Sequence, residues 1–102
     1  MSKEVERLKN ECLGLLDYYL KKTNSIKNLY QDTAESQYFL FALNGTKSYL
    51  TFSEDIDMIY LNKCINGLIS GQKGRIGNDR LTDLRHELEE ELCLLKMRYN
   101  LD

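Results

Sequence analysis

Residues 37–52 read QYFLFALNGTKSYLTF, and the conformation of this stretch decides the fold. Two runs rich in aromatic and β-branched residues flank Asn44 and Gly45, the dipeptide preferred in two-residue type I′ turns. We therefore expect a β-hairpin at 37–52. The alternative is a helix that the DTAE capping pattern at residues 32–35 opens and Gly45 closes, which would make the chain all-α with four helices.

A helical periodicity precedes this stretch. Apolar residues recur there at alternating steps of three and four, at Val5, Leu8, Cys12, Leu15 and Tyr19. Ser2 is placed to cap this first helix, and Asp17 is placed to pair with Lys21 one turn later. The same rhythm predicts that the helix continues to about Gln31, with a bend near Thr23 as the alternative.

Two further helices are predicted after residue 52. Ser53 is expected to cap a middle helix that Gly71 ends, with a buried face made of Ile56, Ile59, Tyr60, Ile65, Leu68 and Ile69. Asn78 is expected to cap a last helix with an apolar stripe at Leu81, Leu84, Leu88, Leu92, Leu95 and Tyr99. Arg85 is expected on its outer side, paired with Glu89.

The predicted fold class is therefore mainly α, a small bundle of three long helices with a β-hairpin at 37–52. A chain of 102 residues has room for one hydrophobic core, so we expect a single domain over residues 1–102.

The composition is that of an ordinary globular protein, because 42% hydrophobic and 29% charged residues suit a packed core with a solvated surface. The net charge of -2 gives no overall positive field that would attract nucleic acid or anionic lipid. The longest apolar run, residues 38–43, is too short to span a membrane, and early charges replace the apolar core of a signal peptide. We therefore expect a cytoplasmic protein without membrane contact. Abundant Lys, Asn, Ile and Tyr suggest AT-rich coding sequence, as in accessory proteins of phages and mobile elements.

The sequence contains no organised catalytic constellation. Cys12, Cys64 and Cys93 are odd in number and form no CxxC pair, which argues against a disulfide framework and a zinc site. The last helix also has a cluster of ionisable residues, which we interpret as a solvated outer face and not a metal or acid–base site: Asp83, His86, Glu87 and Glu90. We therefore expect a protein that is not an enzyme and has no catalytic residue, metal site or cofactor.

One local pattern has the composition of an anion-binding loop. Residues 71–77 read GQKGRIG, and glycine-spaced amides beside cations at a helix start are able to hold a phosphate. The candidate ligand-binding residues are Gly71, Lys73, Gly74, Arg75, Gly77 and Arg80. The loop lacks the GK[ST] ending of a P-loop, so a solvated connector between helices is the favoured interpretation and a nucleotide or nucleic acid the less favoured one.

The aromatic residues between 38 and 52 point to a different kind of site. A chain this short has difficulty burying every large ring, and exposed aromatic side chains dominate the energetics of protein interfaces. The candidate partner-binding residues are Tyr38, Phe39, Phe41, Tyr49 and Phe52. The leading hypothesis is a small regulatory or inhibitory protein that binds another protein and self-associates as a homo-oligomer, and phosphate binding by the 71–77 loop is the alternative.

Overall fold

The structure is a computed structural model that describes residues 2–29, 34–74 and 79–102. Four α-helices occur in these ranges: α1, Lys3–Leu29; α2, Ala34–Phe52; α3, Met58–Gln72; and α4, Arg80–Arg98. The described residues contain no strand, so the expected β-hairpin at 37–52 is wrong and the four-helix alternative is confirmed. No helix in the described part of the chain is both long enough and apolar enough to cross a membrane.

The burial pattern of α2 explains why residues 37–52 are helical. Phe39 is 1% exposed and Phe41 is 79% exposed, although residues two apart on a strand would point to the same side of a sheet. On a helix they lie about 200° apart, and Leu43 and Leu50 are buried on the same side as Phe39. The core contacts of this side outweigh the turn preference of Asn-Gly, and Gly45 continues the helix without a positive φ.

The predicted apolar stripes of the first and last helices are confirmed. On α1 the fully buried side includes Val5, Leu8, Cys12, Leu16, Tyr19 and Leu20, while Leu15 is half-buried. On α4 the buried stripe is Leu81, Leu84, Leu88, Leu92 and Leu95, with Tyr99 packed at its end. The helix α1 also passes through Thr23, whose buried hydroxyl donates to the Tyr19 carbonyl at 2.6 Å.

Polar contacts show how the helices are arranged around α1. Near one end of the bundle, Tyr99 Oη of α4 donates to Glu11 Oε2 of α1 at 2.6 Å. Nearer the other end, Tyr19 shares a surface depression with Glu87, so α1 and α4 run antiparallel. Lys47 Nζ of α2 donates to Asp17 Oδ1 of α1 at 3.0 Å. The helix α1 therefore contacts each of the other three and forms the centre of the bundle.

Both predicted ends of the middle helix are corrected by the structure. Ser53 does not open α3, because its amide bonds to the Tyr49 carbonyl at 2.9 Å and so extends α2. Asp57 caps α3 instead, accepting from the amide of Tyr60 at 2.8 Å. Gly71 does not end α3, which continues to Gln72.

The start of α4 lies partly outside the described residues, whereas two polar contacts predicted in α1 are present. Asn78 lies outside the described residues, and the cap that the structure shows on α4 is Asp79. The Ser2 cap of α1 is confirmed, since its Oγ accepts from the Val5 amide at 3.2 Å. The Asp17–Lys21 pair is also present, at 3.1 Å.

Two side chains lie on the opposite side of their helix from the one expected. Ile59 is exposed, and Leu61 takes a place in the core that the sequence pattern had given to Ile59. Arg85 is 4% exposed and does not lie on the outer side of α4. Its Nε donates to Gln72 Oε1 at 2.7 Å, and its guanidinium lies 5.2 Å from the centre of the Phe39 ring. A buried arginine is tolerated here because a polar acceptor and an aromatic face replace water.

We expect the substitution Asn44→Ala to raise the free energy of unfolding by up to about 0.7 kcal/mol, because Ala is the better helix former at an exposed interior position. Urea denaturation measures the change. Asn100 is the matched control: its φ of 54° is left-handed, so Asn100→Ala should destabilise the protein by about 1 kcal/mol. Destabilisation at position 44 would contradict a helical α2, since only a turn needs Asn there.

We expect the substitution Gln72→Ala to lower the free energy of unfolding by roughly 1.5–3 kcal/mol, because it removes an acceptor from the buried charge of Arg85. The exposed Gln37 provides the control, and Gln37→Ala should change stability by no more than about 0.5 kcal/mol. Chemical denaturation of the two variants tests the contact, and equal small effects would show that the Gln72–Arg85 bond does not stabilise the core.

Candidate functional site

The side of α2 that points away from α1 is lined by aromatic residues. With a rotation of about 100° per residue, five positions fall within about 40° of one line along the helix. We call this surface the outer face of α2, and its residues are Tyr38, Phe41, Gly45, Tyr49 and Phe52. It lies diametrically opposite the buried side that contains Phe39, Leu43 and Leu50. The helix is therefore apolar on two opposite sides, of which the chain itself covers one.

The rings of the outer face are strongly exposed. Tyr38 is 73% exposed, Phe41 79% and Phe52 81%. Four of the eight large apolar side chains that are exposed among the described residues belong to this face. Scattered apolar residues are normal on a protein surface, but a contiguous patch of several hundred Å² marks an interaction site.

The outer face also has no charge. From Ser36 to Phe52 the only charged residue is Lys47. Its ammonium group contacts Asp17 at the α1–α2 junction, on the far side of α2 from the exposed rings. The pKa of Asp17 lies below its usual value because Lys47 and Lys21 both donate to the carboxylate. Aromatic enrichment together with depletion of charge is the composition of the centre of a protein–protein interface.

Tyr49 connects the outer face to the rest of the bundle. Its ring stacks on Tyr60 of α3, with 4.7 Å between ring centres and 21° between ring planes. A hydrogen bond with Tyr49 raises the pKa of Tyr60. Tyr49 is consequently 47% exposed, and the stacking restricts the orientation of its ring. Less side-chain entropy is therefore lost when a partner binds against Tyr49.

The structure separates one of the predicted partner-binding residues from the others. Tyr38, Phe41, Tyr49 and Phe52 lie together on the outer face, whereas Phe39 is buried beneath the guanidinium of Arg85. In the expected β-hairpin, Phe39 and Phe41 would have lain on the same side of the strand. Gly45 is the member of the face that the sequence did not suggest, because its position follows only from the helical rotation of α2.

The predicted phosphate-binding residues are only partly brought together. Arg75 and Gly77 lie outside the described residues, Gly71 belongs to α3, and Lys73 is exposed just after it. Gly74 has a φ of 74°, which glycine adopts without strain and which explains its presence at this turn. Arg80 is exposed, with its guanidinium 4.0 Å from Glu87.

The amino terminus of α4 already has an anionic partner. Asp79 accepts from the amide of Thr82 at 2.7 Å, and this contact holds the pKa of Asp79 below its usual value. A phosphate placed there would meet a carboxylate at the amides it needs. Phosphate binding by residues 71–77 stays a prediction, and the described residues at this end of the bundle add nothing in its favour.

The ionisable cluster on α4 is spread along an exposed surface. Asp83, His86, Glu87 and Glu90 are all exposed. Within the described ranges, no three His, Cys, Asp or Glu residues are grouped closely enough to hold a metal ion. The arrangement is that of a solvated helix side that is strongly acidic.

The three cysteines occupy three different environments. Burial raises the pKa of the Cys12 thiol to about 12, with smaller contributions from Cys64 and Glu11, so this thiol is protonated at neutral pH. Burial also raises the pKa of Cys64, and a hydrogen bond with Tyr60 offsets part of this shift. Cys93 is exposed beside an open groove between α3 and α4. The two interior thiols are therefore poor nucleophiles.

No protein-family model, curated protein or solved structure matches the chain. Its function has to be inferred from its own residues.

We expect a thiol reagent at pH 8 to modify Cys93 first, Cys64 much more slowly and Cys12 only as fast as the protein unfolds. The reason is exposure for Cys93, and burial with a raised pKa for the other two. Mass spectrometry of peptides after timed labelling gives the three rates. Cys93→Ser should abolish the fast phase, and rapid labelling of Cys12 in the folded protein would contradict the core described above.

Proposed function

We propose that this protein is a small, non-enzymatic regulator or inhibitor that acts by binding another protein through the outer face of α2. The supporting observation is an exposed, uncharged aromatic surface on a helix whose opposite side is already buried in the core. An apolar side of a helix is ordinarily packed against another element, and α2 has two such sides. The outer face is the part of α2 that this chain leaves to a partner.

The chemistry of the face indicates what it binds. Tyr and Phe rings contribute large apolar areas with few rotatable bonds, so they anchor interfaces at a low cost in entropy. The four rings expose on the order of 500 Å². Since the face has no charge, the complementary surface is an apolar groove or helix and not an acidic or basic segment.

The remaining surface supports a binding role more than a catalytic one. The interior thiols are held in their protonated form. The buried polar contact of Arg85 links α3 and α4 internally, where it stabilises the bundle. The acidic residues of α4 are exposed or half-buried, and the depression that Glu87, Glu90 and Glu91 line beside Tyr19 contains, among the described residues, no histidine or cysteine that would pair with them for catalysis. These features are those of a scaffold that presents a surface.

Affinity capture with the tagged chain in extracts of the source cell tests this proposal. The variants Phe41→Glu and Phe52→Glu put a charge into the face, and both positions are exposed, so the fold should survive. The control is Met97→Glu on α4, which replaces an apolar residue that is 72% exposed elsewhere. The protein that the wild type and the control retain is then purified and titrated by calorimetry.

We expect each α2 variant to weaken binding of that purified partner by about 30-fold or more, since interface anchors of this type contribute about 2 kcal/mol each. Circular dichroism verifies that every variant keeps its helices. The proposal fails if both α2 variants bind the partner as tightly as the wild type, or if no specific partner is retained by the wild type.

A further inference from the structure

The outer face of α2 has a symmetry that its function as a binding surface does not require. Its positions are 38, 41, 45, 49 and 52, so the steps between them are three, four, four and three residues. The pattern reads the same in both directions from Gly45. An aromatic residue stands at each of the four outer positions, and the residue without a side chain stands at the centre.

We infer that the outer face pairs with the same face of a second copy of this chain, antiparallel, across a two-fold axis at Gly45. In such a pair, a residue that precedes Gly45 by some number of positions lies beside the residue that follows Gly45 by the same number in the other copy. Tyr38 therefore meets Phe52 of the other copy. Phe41 likewise meets Tyr49. An isologous interface needs a surface complementary to itself, and this spacing provides one.

Gly45 allows the two helices to approach closely. A glycine inside a helix is less favourable than alanine, and it leaves the helix backbone open to close approach. No contact within the chain requires Gly45, because a Cβ placed on it would meet no atom within 4 Å, and the same is true of Gly14 in α1 and Gly67 in α3. Against a second α2 the missing side chain lets the backbones touch, as small residues do at other close helix crossings.

Charge and area both agree with a second copy as the occupant. Two identical charged surfaces would repel each other, whereas this face is neutral in a chain with a net charge of -2. The rings of two copies together remove on the order of 1,000 Å² from water, and the small residues beside them, Ala42 and Ser48, add to that area. A specific interface needs about 1,000 Å² or more in total.

This inference rests on the proposed function, because it assigns an occupant to the same face. It adds one consequence for regulation. A single face cannot hold a second copy and a different protein at the same time, so a protein partner binds in competition with dimerisation. Binding of that partner then weakens as the concentration of the chain rises.

Mass in solution is the first test. Sedimentation of the wild type at concentrations up to about 100 µM should give twice the chain mass of 12.0 kDa. Phe41→Glu changes both halves of the pair, so the roughly 30-fold loss expected of one substitution applies twice and should raise the dimer dissociation constant on the order of 1,000-fold. Met97→Glu is the control and should leave the dimer unchanged. A monomeric wild type, or a dimer that Phe41→Glu does not weaken, overturns the inference.

Disulfide trapping tests the orientation. In a Cys93→Ser background, Gly45→Cys places two thiols at the axis, where the Cα atoms lie within the span of about 7 Å that a disulfide bridges. Ala34→Cys, on the same side of α2, is the matched control. The two Cα atoms of residue 34 would lie about 33 Å apart in an antiparallel pair, but next to each other in a parallel pair. With oxidised glutathione we expect a cross-linked dimer from Gly45→Cys only. Cross-linking of Ala34→Cys overturns the antiparallel pairing.

The cross-linked Gly45→Cys dimer separates this inference from the proposed function. It should no longer bind the partner retained in the capture experiment, and reduction should restore binding. If the trapped dimer still binds that partner, the partner uses another surface, so the proposed site and the competition are wrong although the pairing stands. If the wild type is monomeric and the partner needs Phe41, the proposed function stands and the pairing is wrong.

Discussion

Burial of the apolar side of α1 is the constraint on which the rest of this structure depends. The helix α1 is 27 residues long, and the other three helices pack against it. Since each of them has to present an apolar side to α1 or to a neighbour, the register of every helix is set by its leucines. Exposed ion pairs such as Lys47–Asp17 and Arg98–Glu11 also join α2 and α4 to α1, although pairs of this kind add little stability.

The helix α2 has apolar side chains that remain exposed in this arrangement. It has more apolar residues than one side can hold, because Phe39, Leu43 and Leu50 already fill the contact with the core. In a bundle with α1 at its centre, the opposite side of α2 is covered by the same chain only in part, where Tyr49 stacks on Tyr60 of α3. Burial of those exposed rings would be favourable, and this is the physical basis of both proposals.

The polar interior is concentrated at one end of the bundle, where α1 and α3 end and α2 and α4 begin. Thr23, Gln72 and Arg85 are all buried there. Their side chains bond to backbone or to each other, as Gln72 does when it donates to the Leu68 carbonyl and accepts from Arg85. This end is held by directional contacts, whereas the middle of the bundle is held by leucine packing.

The sequence by itself determined α1 and α4, because their apolar residues follow a period of three and four over many turns and their polar sides are continuous. It also indicated that several aromatic residues between 38 and 52 are exposed. Only the tertiary structure decided that this stretch is helical, since Asn44-Gly45 favours a turn locally and the burial of Leu43 and Leu50 against α1 outweighs it. In a helix, successive side chains are rotated by about 100°, whereas in a strand they are rotated by 180°. The helical conformation therefore places Phe39 in the core and Phe41 on the same exposed side as Phe52.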